Sequence, residues 1–307
     1  MNKILAVTGA TGKKSGGAFM NLIYENLPEI RERFPGGIRA IVRKNADTSH
    51  LSKKLPEAEI FKGNLADSLL LASFLEGVDT LVHIAGIACS EKLVEAAVKA
   101  KVRRLILVHT TGIYSKYKEA GEAYRQIDRR VTKLCKDHEI LLTICRPTMI
   151  YGNTSDQNVV VFIKMVDRYP LMPVVSGARF GLQPVHYSDL ATAYFQILLN
   201  EEKTANKNYI LSGKSPIELR EMLKIIGQNL GKKVRFISCP YPIAYLGAWG
   251  VYCLTFGKMD YREKVQRLCE PRVYPYDDAA RDFGYSPISF EEGIVEEVKE
   301  YLSQKNK

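Results

Sequence analysis

The regular alternation of short apolar runs with helical patterns constrains the fold of this chain more than any other feature. The apolar runs are nearly continuous in Val, Ile and Leu, which is typical of strands buried on both faces of a parallel sheet. The predicted strands are Lys3–Val7, Ile38–Val42, Glu59–Phe61, Thr80–Ile84, Leu105–His109 and Leu141–Cys145. The predicted helices between them are Ala18–Asn26, Ser49–Leu55, Ser68–Leu75, Glu91–Lys99 and Ala120–Lys136. Repeated βα units predict an α/β fold with a doubly wound parallel sheet.

The pattern changes after Tyr151-Gly152, where the apolar runs become shorter and prolines more frequent. This half predicts helices at Val159–Arg168, Ser188–Leu199, Pro216–Leu230 and Phe290–Ser303, with short strands near Tyr209–Leu211 and Val234–Ile237. We therefore expect a sheet-bearing domain over residues 1–152. A smaller, mixed α/β region over residues 153–307, interleaved with the first domain, is expected to cover the carboxyl ends of the sheet.

The charge of the chain restricts its partners. Among 307 residues, 44 Lys and Arg outnumber 34 Asp and Glu, which gives a net charge of +10. The basic residues are scattered as doublets such as Lys53-Lys54 and Arg103-Arg104. Without a polybasic block to bind a phosphate backbone, nucleic acid is not the expected partner. Scattered positive charge suits small anionic molecules, or less favourably a negatively charged membrane surface.

The cysteines and the N-terminal segment both favour a cytoplasmic location. The six cysteines form no CxxC pair, and no His, Cys, Asp or Glu spacing matches a metal site. They are therefore interpreted as reduced residues of a cytoplasmic protein without a metal. The apolar run in MNKILAVTGATG is too short for a signal peptide.

The sharpest motif is Val7-Thr8-Gly9-Ala10-Thr11-Gly12-Lys13-Lys14-Ser15-Gly16-Gly17, which follows the first strand and opens the first helix. Glycines there allow a tight turn and the close approach of a pyrophosphate to a helix N-terminus. Together with three further segments, the motif resembles the NAD(P)-binding short-chain dehydrogenase/reductase superfamily, in its extended or atypical, epimerase/dehydratase-like and NmrA-like branch. These segments are Gly63–Asp67, Leu81–Gly86 and Arg146–Gly152, and Gln183–Ala191 in the second half is also similar.

The resemblance implies a Rossmann sheet that binds a nicotinamide cofactor. The residues that it places against the cofactor are Gly9, Thr11, Gly12, Ser15, Gly16, Asn64, Leu65, Ala85, Gly86, Pro147 and Met149. The third family glycine is displaced by one residue to Gly16. At the end of the second strand, where a ribose-binding acid is expected, the chain has Arg43 instead. Because a guanidinium can bind a 2′-phosphate that a carboxylate would repel, NADP is the predicted cofactor.

The catalytic residues depart from the family pattern at one position. The superfamily uses a Ser or Thr, a Tyr, and a Lys four residues after the Tyr. The resemblance assigns the hydroxyl to Thr110 or Thr111 and the phenol to Tyr124, but Asp128 stands in place of the Lys. An acid there is expected to raise the pKa of a nearby phenol. A second Tyr-Lys pair, Tyr114 and Lys118, has the same spacing but directly follows a strand.

Two functions remain open at this stage. The first is an NADP-dependent oxidoreductase or epimerase/dehydratase-like enzyme that acts on a carbonyl or hydroxyl group of a small substrate. The second is an NAD(P)H-binding redox sensor or assembly protein without turnover, which the missing Lys favours.

The segment Cys239–Gly257 is unusual because no charged residue occurs between Arg235 and Lys258. A buried helix that lines the substrate pocket is the favoured interpretation. A peripheral membrane contact through Trp249, Tyr245 and Tyr252 is the alternative, and prolines and glycines argue against a membrane span. Either of the first two interpretations suggests a lipophilic substrate.

Overall fold

The fold is built on a parallel sheet whose central strands are buried on both faces. The computed structural model describes residues 2–117, 121–169 and 171–305. Its strands are β1 (Ile4–Thr8), β2 (Ile38–Val42), β3 (Glu59–Lys62), β4 (Val78–His83), β5 (Arg104–Val108), β6 (Leu141–Pro147), β7 (Ile150–Tyr151), β8 (Leu171–Val175), β9 (Gly181–Leu182), β10 (Val185–His186), β11 (Lys207–Leu211), β12 (Ile217–Glu218) and β13 (Arg235–Cys239). Seven of them form one parallel sheet in the order β11-β6-β5-β4-β1-β2-β3.

Helices cover both faces of this sheet. They are α1 (Ser15–Glu25), α2 (Leu27–Arg33), α3 (Ser49–Lys54), α4 (Ser68–Leu75), α5 (Ser90–Lys99), α6 (Gly121–Asp137), α7 (Val159–Arg168), α8 (Tyr187–Leu199), α9 (Glu201–Thr204), α10 (Leu219–Asn229), α11 (Tyr241–Leu254), α12 (Arg262–Leu268), α13 (Asp277–Phe283) and α14 (Phe290–Lys305). The predicted doubly wound α/β fold is confirmed.

The residues of β1 show why two helical layers are needed. Leu5 and Val7 pack in one core with Phe19 of α1, whereas Ala6 packs in a second core with Leu93 of α5. Successive side chains of a strand point to opposite faces, so an apolar strand needs cover on both sides. The six strands and five helices predicted in the first half agree with the structure to within three residues at each described end. Ala120, the predicted start of α6, lies outside the described residues.

The second half of the chain contributes to the same sheet. Strand β11 pairs in parallel with β6, with Tyr209 opposite Cys145. Helix α8 packs against α1, and Tyr194 from α8 belongs to the same core as Phe19. A separate core contains residues of α7, β8, α10 and α14. The structure therefore has a smaller mixed α/β region next to the main sheet.

Helix α11 is exposed, and the expectation that the Cys239–Gly257 segment forms a buried helix is wrong. Among its residues only Ala248 is buried. The apolar composition correctly predicted a helix, but the sequence did not show that the other described elements leave this helix uncovered. No helix in the described parts of the chain is long and apolar enough to cross a membrane.

Candidate cofactor and active site

The strand order places the glycine-rich motif at the point where the direction of winding reverses. Strand β1 lies between β2 and β4, so the loops after β1 and β4 leave the sheet side by side. Ligands of open α/β sheets bind in the crevice at such a point. Gly9, with a positive φ of 77°, meets the β4 loop there: a Cβ on Gly9 would lie 3.1 Å from the amide nitrogen of Ala85.

The displaced glycine takes up the packing role expected of the third family glycine. A Cβ on Gly16 would lie 2.1 Å from the carbonyl oxygen of Gly9, so the start of α1 can approach β1 only with glycine at this position. The amide of Gly12 donates to the same carbonyl at 3.0 Å, which closes the turn. Ser15, in contrast, is buried at the beginning of α1. The loop thus forms a glycine-lined cradle before a helix N-terminus, and this cradle fits a pyrophosphate.

His83 holds the two loops of the cradle together. Its Nδ1 accepts from the hydroxyl of Thr8 at 2.7 Å, and its Nε2 donates to the carbonyl of Gly86 at 3.0 Å. Burial lowers the pKa of His83 to about 4, so the ring is neutral. His83 is therefore a buried histidine of the core whose two ring nitrogens are both hydrogen-bonded. Gly86 has a positive φ of 106° and no atom within 4 Å of an added Cβ, which leaves the crevice open beside it.

Cations without acidic partners surround the outer end of the crevice. Arg43 is exposed directly after β2, and neither it nor Lys13 or Lys14 makes an ion pair with another described residue. A cavity of about 290 Å³ beside the loop is lined by Lys13, Lys14 and Lys54 against one carboxylate, Asp47. That carboxylate is engaged by the amide and hydroxyl of Ser49. The local charge therefore favours an additional phosphate.

The segment after β3 is ordered by its own side chains. The Asn64 Oδ1 atom accepts from the amide of Ala66 at 3.0 Å, and Asp67 caps α4 by accepting from the amides of Leu69 and Leu70. Asn64 is exposed with its amide NH₂ group directed to no described partner, and Leu65 is half-buried beside it. Both predicted residues therefore lie at the carboxyl edge of the sheet, where an adenine would be expected.

A second cavity, of about 340 Å³, lies beyond the carboxyl ends of β5 and β6. Its lining includes Thr110, Thr111, Pro147 and Met149, four of the residues singled out by the sequence. Thr111 is buried and donates its hydroxyl proton to the carbonyl of Pro147 at 3.1 Å. Thr110 accepts from the amide of Gly112 at 3.0 Å, so its own proton is still available. Of the two hydroxyls, Thr110 is the better placed donor to a substrate oxygen.

Asp128, which occupies the position of the family lysine, belongs to a buried polar network. It accepts from Nδ1 of His109 at 2.7 Å and from the guanidinium of Arg146 at 2.6 Å. Burial by itself raises the pKa of Asp128, but the His109 hydrogen bond and the Arg146 charge bring it below its ordinary value. Since Asp128 accepts from Nδ1, Nε2 of His109 accepts from Ser90 at 3.1 Å, so both ring nitrogens are occupied.

The two candidate phenols differ in their surroundings. Tyr124 is half-buried on the first turn of α6, four residues before Asp128, and is not part of the lining of the second cavity. Tyr114 is exposed and packs on Tyr274, a lining residue, with ring centroids 5.6 Å apart. Lys118 of the alternative Tyr-Lys pair lies outside the described residues.

Two arginines in the second cavity were missed by the sequence reasoning. Arg267 and Arg272 line it, and each has a buried Nε atom without a hydrogen-bond partner in the described residues. Arg272 makes no ion pair there, and Arg267 approaches Glu263 only to 3.6 Å. Burial, with the neighbouring Arg267 charge, lowers the pKa of Arg272. In the sequence these residues belong to an ordinary scatter of basic residues, and no spacing distinguishes them.

Comparison with known proteins agrees with this geometry. The profile of the NmrA-like family matches residues 1–247. The chain belongs to the NmrA-like family.

Individual curated relatives of this NmrA-like chain share less than 30% identity with it over part of its length. It is 28% identical over 102 residues to an Arabidopsis thaliana protein, NADH dehydrogenase [ubiquinone] 1 alpha subcomplex subunit 9, mitochondrial, covering 33% of this chain and 25% of that protein. It is 26% identical over 168 residues to 2-alkyl-3-oxoalkanoate reductase from Stenotrophomonas maltophilia, covering 52% of this chain and 51% of that protein. The matches therefore span between a quarter and about half of these curated relatives.

The fold similarity extends over the whole chain. The dTDP-glucose 4,6-dehydratase DesIV from Streptomyces venezuelae, solved with NAD and TYD, superimposes with a TM-score of 0.72 at 18% identity, covering 99% of this chain and 98% of that one. At this identity the likeness establishes the fold alone. The NmrA-like chain thus shares the Rossmann architecture of an enzyme that was crystallised with a nicotinamide cofactor.

Proposed function

We propose that this NmrA-like protein is an NADP(H)-dependent oxidoreductase, or a related epimerase/dehydratase-like enzyme. Its substrate would be a small anionic molecule with a carbonyl or hydroxyl group. The observation that carries the proposal is the continuity of two sites along one edge of the sheet. The glycine cradle at β1 and β4 fits a pyrophosphate. The neighbouring cavity combines the Thr110 hydroxyl with two half-buried arginines, each with a buried Nε atom that has no partner among the described residues.

The division of labour follows from these positions. Residues 1–152 would hold the cofactor through Gly9, Thr11, Gly12, Gly16 and the other loop residues predicted above, with Ser15 supporting the loop from its buried position. Residues 153–307 would supply the substrate side, including Arg267 and Arg272. Bound NADP(H) would supply the hydride chemistry.

The substrate oxygen would be oriented by the chain's own hydroxyl groups. Thr110 would donate its free proton to that oxygen, while Thr111 holds the Pro147 carbonyl and fixes the loop. Tyr124, on the first turn of α6 outside the cavity lining, would turn toward that oxygen and exchange the proton as the oxygen gains or loses negative charge. Asp128 does not oppose this role with an unpaired charge, because Arg146 and His109 engage its carboxylate.

Anionic substrates are favoured because a buried guanidinium nitrogen without a hydrogen-bond acceptor, such as Nε of Arg272, is costly unless a ligand provides one. A carboxylate can accept two parallel hydrogen bonds from such a group. The curated relative named as a 2-alkyl-3-oxoalkanoate reductase carries in its name a 3-oxo acid with an alkyl branch. A substrate of that chemical class would combine the lipophilic character suggested by the sequence with the charge suggested by the cavity.

The cofactor preference is tested by Arg43→Ala. This change is expected to weaken NADPH binding by about 1.5–3 kcal/mol, the range for a hydrogen bond to a charged group, and to leave NADH binding nearly unchanged. Fluorescence titration with both nucleotides measures the difference. The control is Arg31→Ala, because Arg31 is an exposed arginine of α2 that pairs with Glu57. This change should alter neither affinity. Equal losses of NADPH and NADH affinity for Arg43→Ala would contradict the NADP assignment.

The enzymatic function is tested by NADPH oxidation with 2-alkyl-3-oxo acids and their methyl esters. We expect turnover of the acids and a much higher KM for the esters, which have no carboxylate for Arg272. Thr110→Val and Tyr124→Phe should each reduce kcat by about two to three orders of magnitude while NADPH affinity persists. Thr110→Ser, which keeps the hydroxyl, should retain most of the activity. If Tyr124→Phe turns over normally, the phenol is wrongly assigned and Tyr114 is the next to test.

A non-catalytic role as a redox sensor or assembly protein is the second candidate. It is favoured by Asp128, which removes the lysine of the usual catalytic set, and one relative is named as a subunit of a larger complex. Tight NADPH binding without turnover of any carbonyl acid in the panel would support this role over the enzyme.

A further inference from the structure

Helix α11 exposes an apolar surface that no other described part of the chain covers. Its outward side chains include Leu246, Trp249 and Leu254, which are 65%, 49% and 82% exposed, and Phe256 in the following turn is 93% exposed. Together with Ile243, at 62%, these residues are called the α11 surface below. An exposed apolar patch of this kind normally marks a protein or membrane contact.

The helix has one packed side and one free side. Ala248 is buried, and α11 packs against α12 through the face that also carries Tyr252. Ile243, Leu246 and Trp249 recur every three residues, so they lie along the opposite side. That side carries no charged side chain, because residues 236–257 contain no Asp, Glu, Lys or Arg.

Two lysines without ion pairs follow the α11 surface in the chain. Lys258 follows the exposed Phe256 and Gly257, and Lys264 lies over the ring of Tyr261 at 5.0 Å. Neither lysine makes an ion pair with any residue that the structure describes. Arg262 is held by Asp260 and stacks on Tyr252 at 4.0 Å, so it fixes the turn. Apolar rings and aliphatic side chains bordered by lysines complement an anionic lipid surface.

The length of α11 restricts how it can contact a bilayer. Its 14 residues correspond to about 21 Å at 1.5 Å per residue, which is shorter than the ~30 Å hydrocarbon core. The helix can therefore lie in the interfacial layer but cannot cross the hydrocarbon core. A helix of this kind inserts its apolar side among the acyl chains while lysines remain with the headgroups.

We propose that the α11 surface docks this protein on anionic phospholipid bilayers, with Ile243, Leu246, Trp249, Leu254 and Phe256 inserted and Lys258 and Lys264 at the headgroups. Helix α12, which packs on the other side of α11, carries Arg267 of the substrate cavity. The proposal concerns binding only and stands whether or not the protein turns over a substrate.

The single tryptophan makes the proposal directly measurable. Trp249 is the only Trp of the chain, so its intrinsic fluorescence reports on this surface alone. With vesicles of phosphatidylcholine mixed with phosphatidylglycerol, we expect a blue shift, quenching by brominated acyl chains, and co-sedimentation of the full-length protein. Binding should be at least about tenfold weaker to pure phosphatidylcholine and should fall with rising salt.

Matched variants distinguish binding through the α11 surface from nonspecific hydrophobic adsorption. The combined change Leu246→Ser, Leu254→Ser and Phe256→Ser should abolish co-sedimentation, and its exposed positions leave the core intact. Leu69→Ser, at an 83% exposed leucine on α4, is the control and should bind like the wild type. Unchanged fluorescence with anionic vesicles, or binding retained by the triple variant, would overturn the proposal. So would a dimer in solution that the triple variant dissociates, in the absence of vesicle binding, because a second copy would then be the occupant.

Discussion

Asp128→Lys is expected to lower the free energy of unfolding by about 3–5 kcal/mol, although it would restore the lysine of the family pattern. The Asp128 carboxylate accepts from His109 and Arg146, and Arg146 is buried. Removing the acid leaves that guanidinium without its partner in a low-dielectric environment, and the new ammonium adds a like charge. Urea unfolding followed by circular dichroism measures the change.

A control for this substitution is available on the same helix. Asp137→Lys replaces an exposed carboxylate that pairs with Lys133 at 2.6 Å, and exposed pairs contribute at most about 1 kcal/mol. Its stability should therefore stay close to that of the wild type. If Asp128→Lys is equally tolerated, the network does not support the fold as described, and the lysine of the family pattern could be reintroduced without further changes.

Gly16→Ala is expected to remove most of the NADP(H) affinity and to destabilise the fold by about 1–3 kcal/mol, the usual range for overpacking. The new methyl group would lie 2.1 Å from the Gly9 carbonyl oxygen, so either α1 or the loop must move. Both movements disturb the cradle for the pyrophosphate. NADPH titration and urea unfolding measure the two effects separately.

Gly247→Ala provides the comparison, since it is the same substitution in a helix with open space around it. No atom lies within 4 Å of a Cβ built on Gly247. Alanine there should leave NADPH affinity unchanged and should stabilise the helix by about 0.5–1 kcal/mol. Wild-type cofactor affinity in Gly16→Ala would show that the cradle is not the pyrophosphate site.

The glycine motif was largely readable from the sequence because its physical requirements are local. A tight turn after a buried strand, followed by a helix, is encoded within eleven consecutive residues from Val7 to Gly17. The motif was recognisable although its third glycine is displaced by one residue to Gly16. Close approach between Gly9 and the start of α1 decides which glycine is needed, and Gly16 meets that requirement.

Asp128 illustrates what a linear pattern does not show. The sequence has an acid four residues after Tyr124, and this acid led to the prediction of a raised pKa for the phenol. In the structure this acid accepts hydrogen bonds from His109 and Arg146, which are 19 and 18 residues away in the chain. The partner of a charged side chain depends on which strand ends lie beside its helix, and this follows from sheet order.

The sequence by itself determined the α/β class, the positions of the strands, the glycine loop and the cationic end of β2, because each depends on residues close together in the chain. Tertiary structure decided three other features: β11 joins the first sheet, Arg267 and Arg272 meet in the cavity with Thr110, and α11 stays uncovered. These depend on contacts between distant segments. A run of apolar residues predicts a helix for which burial is favourable. Whether another element covers that helix depends on how the surrounding elements pack.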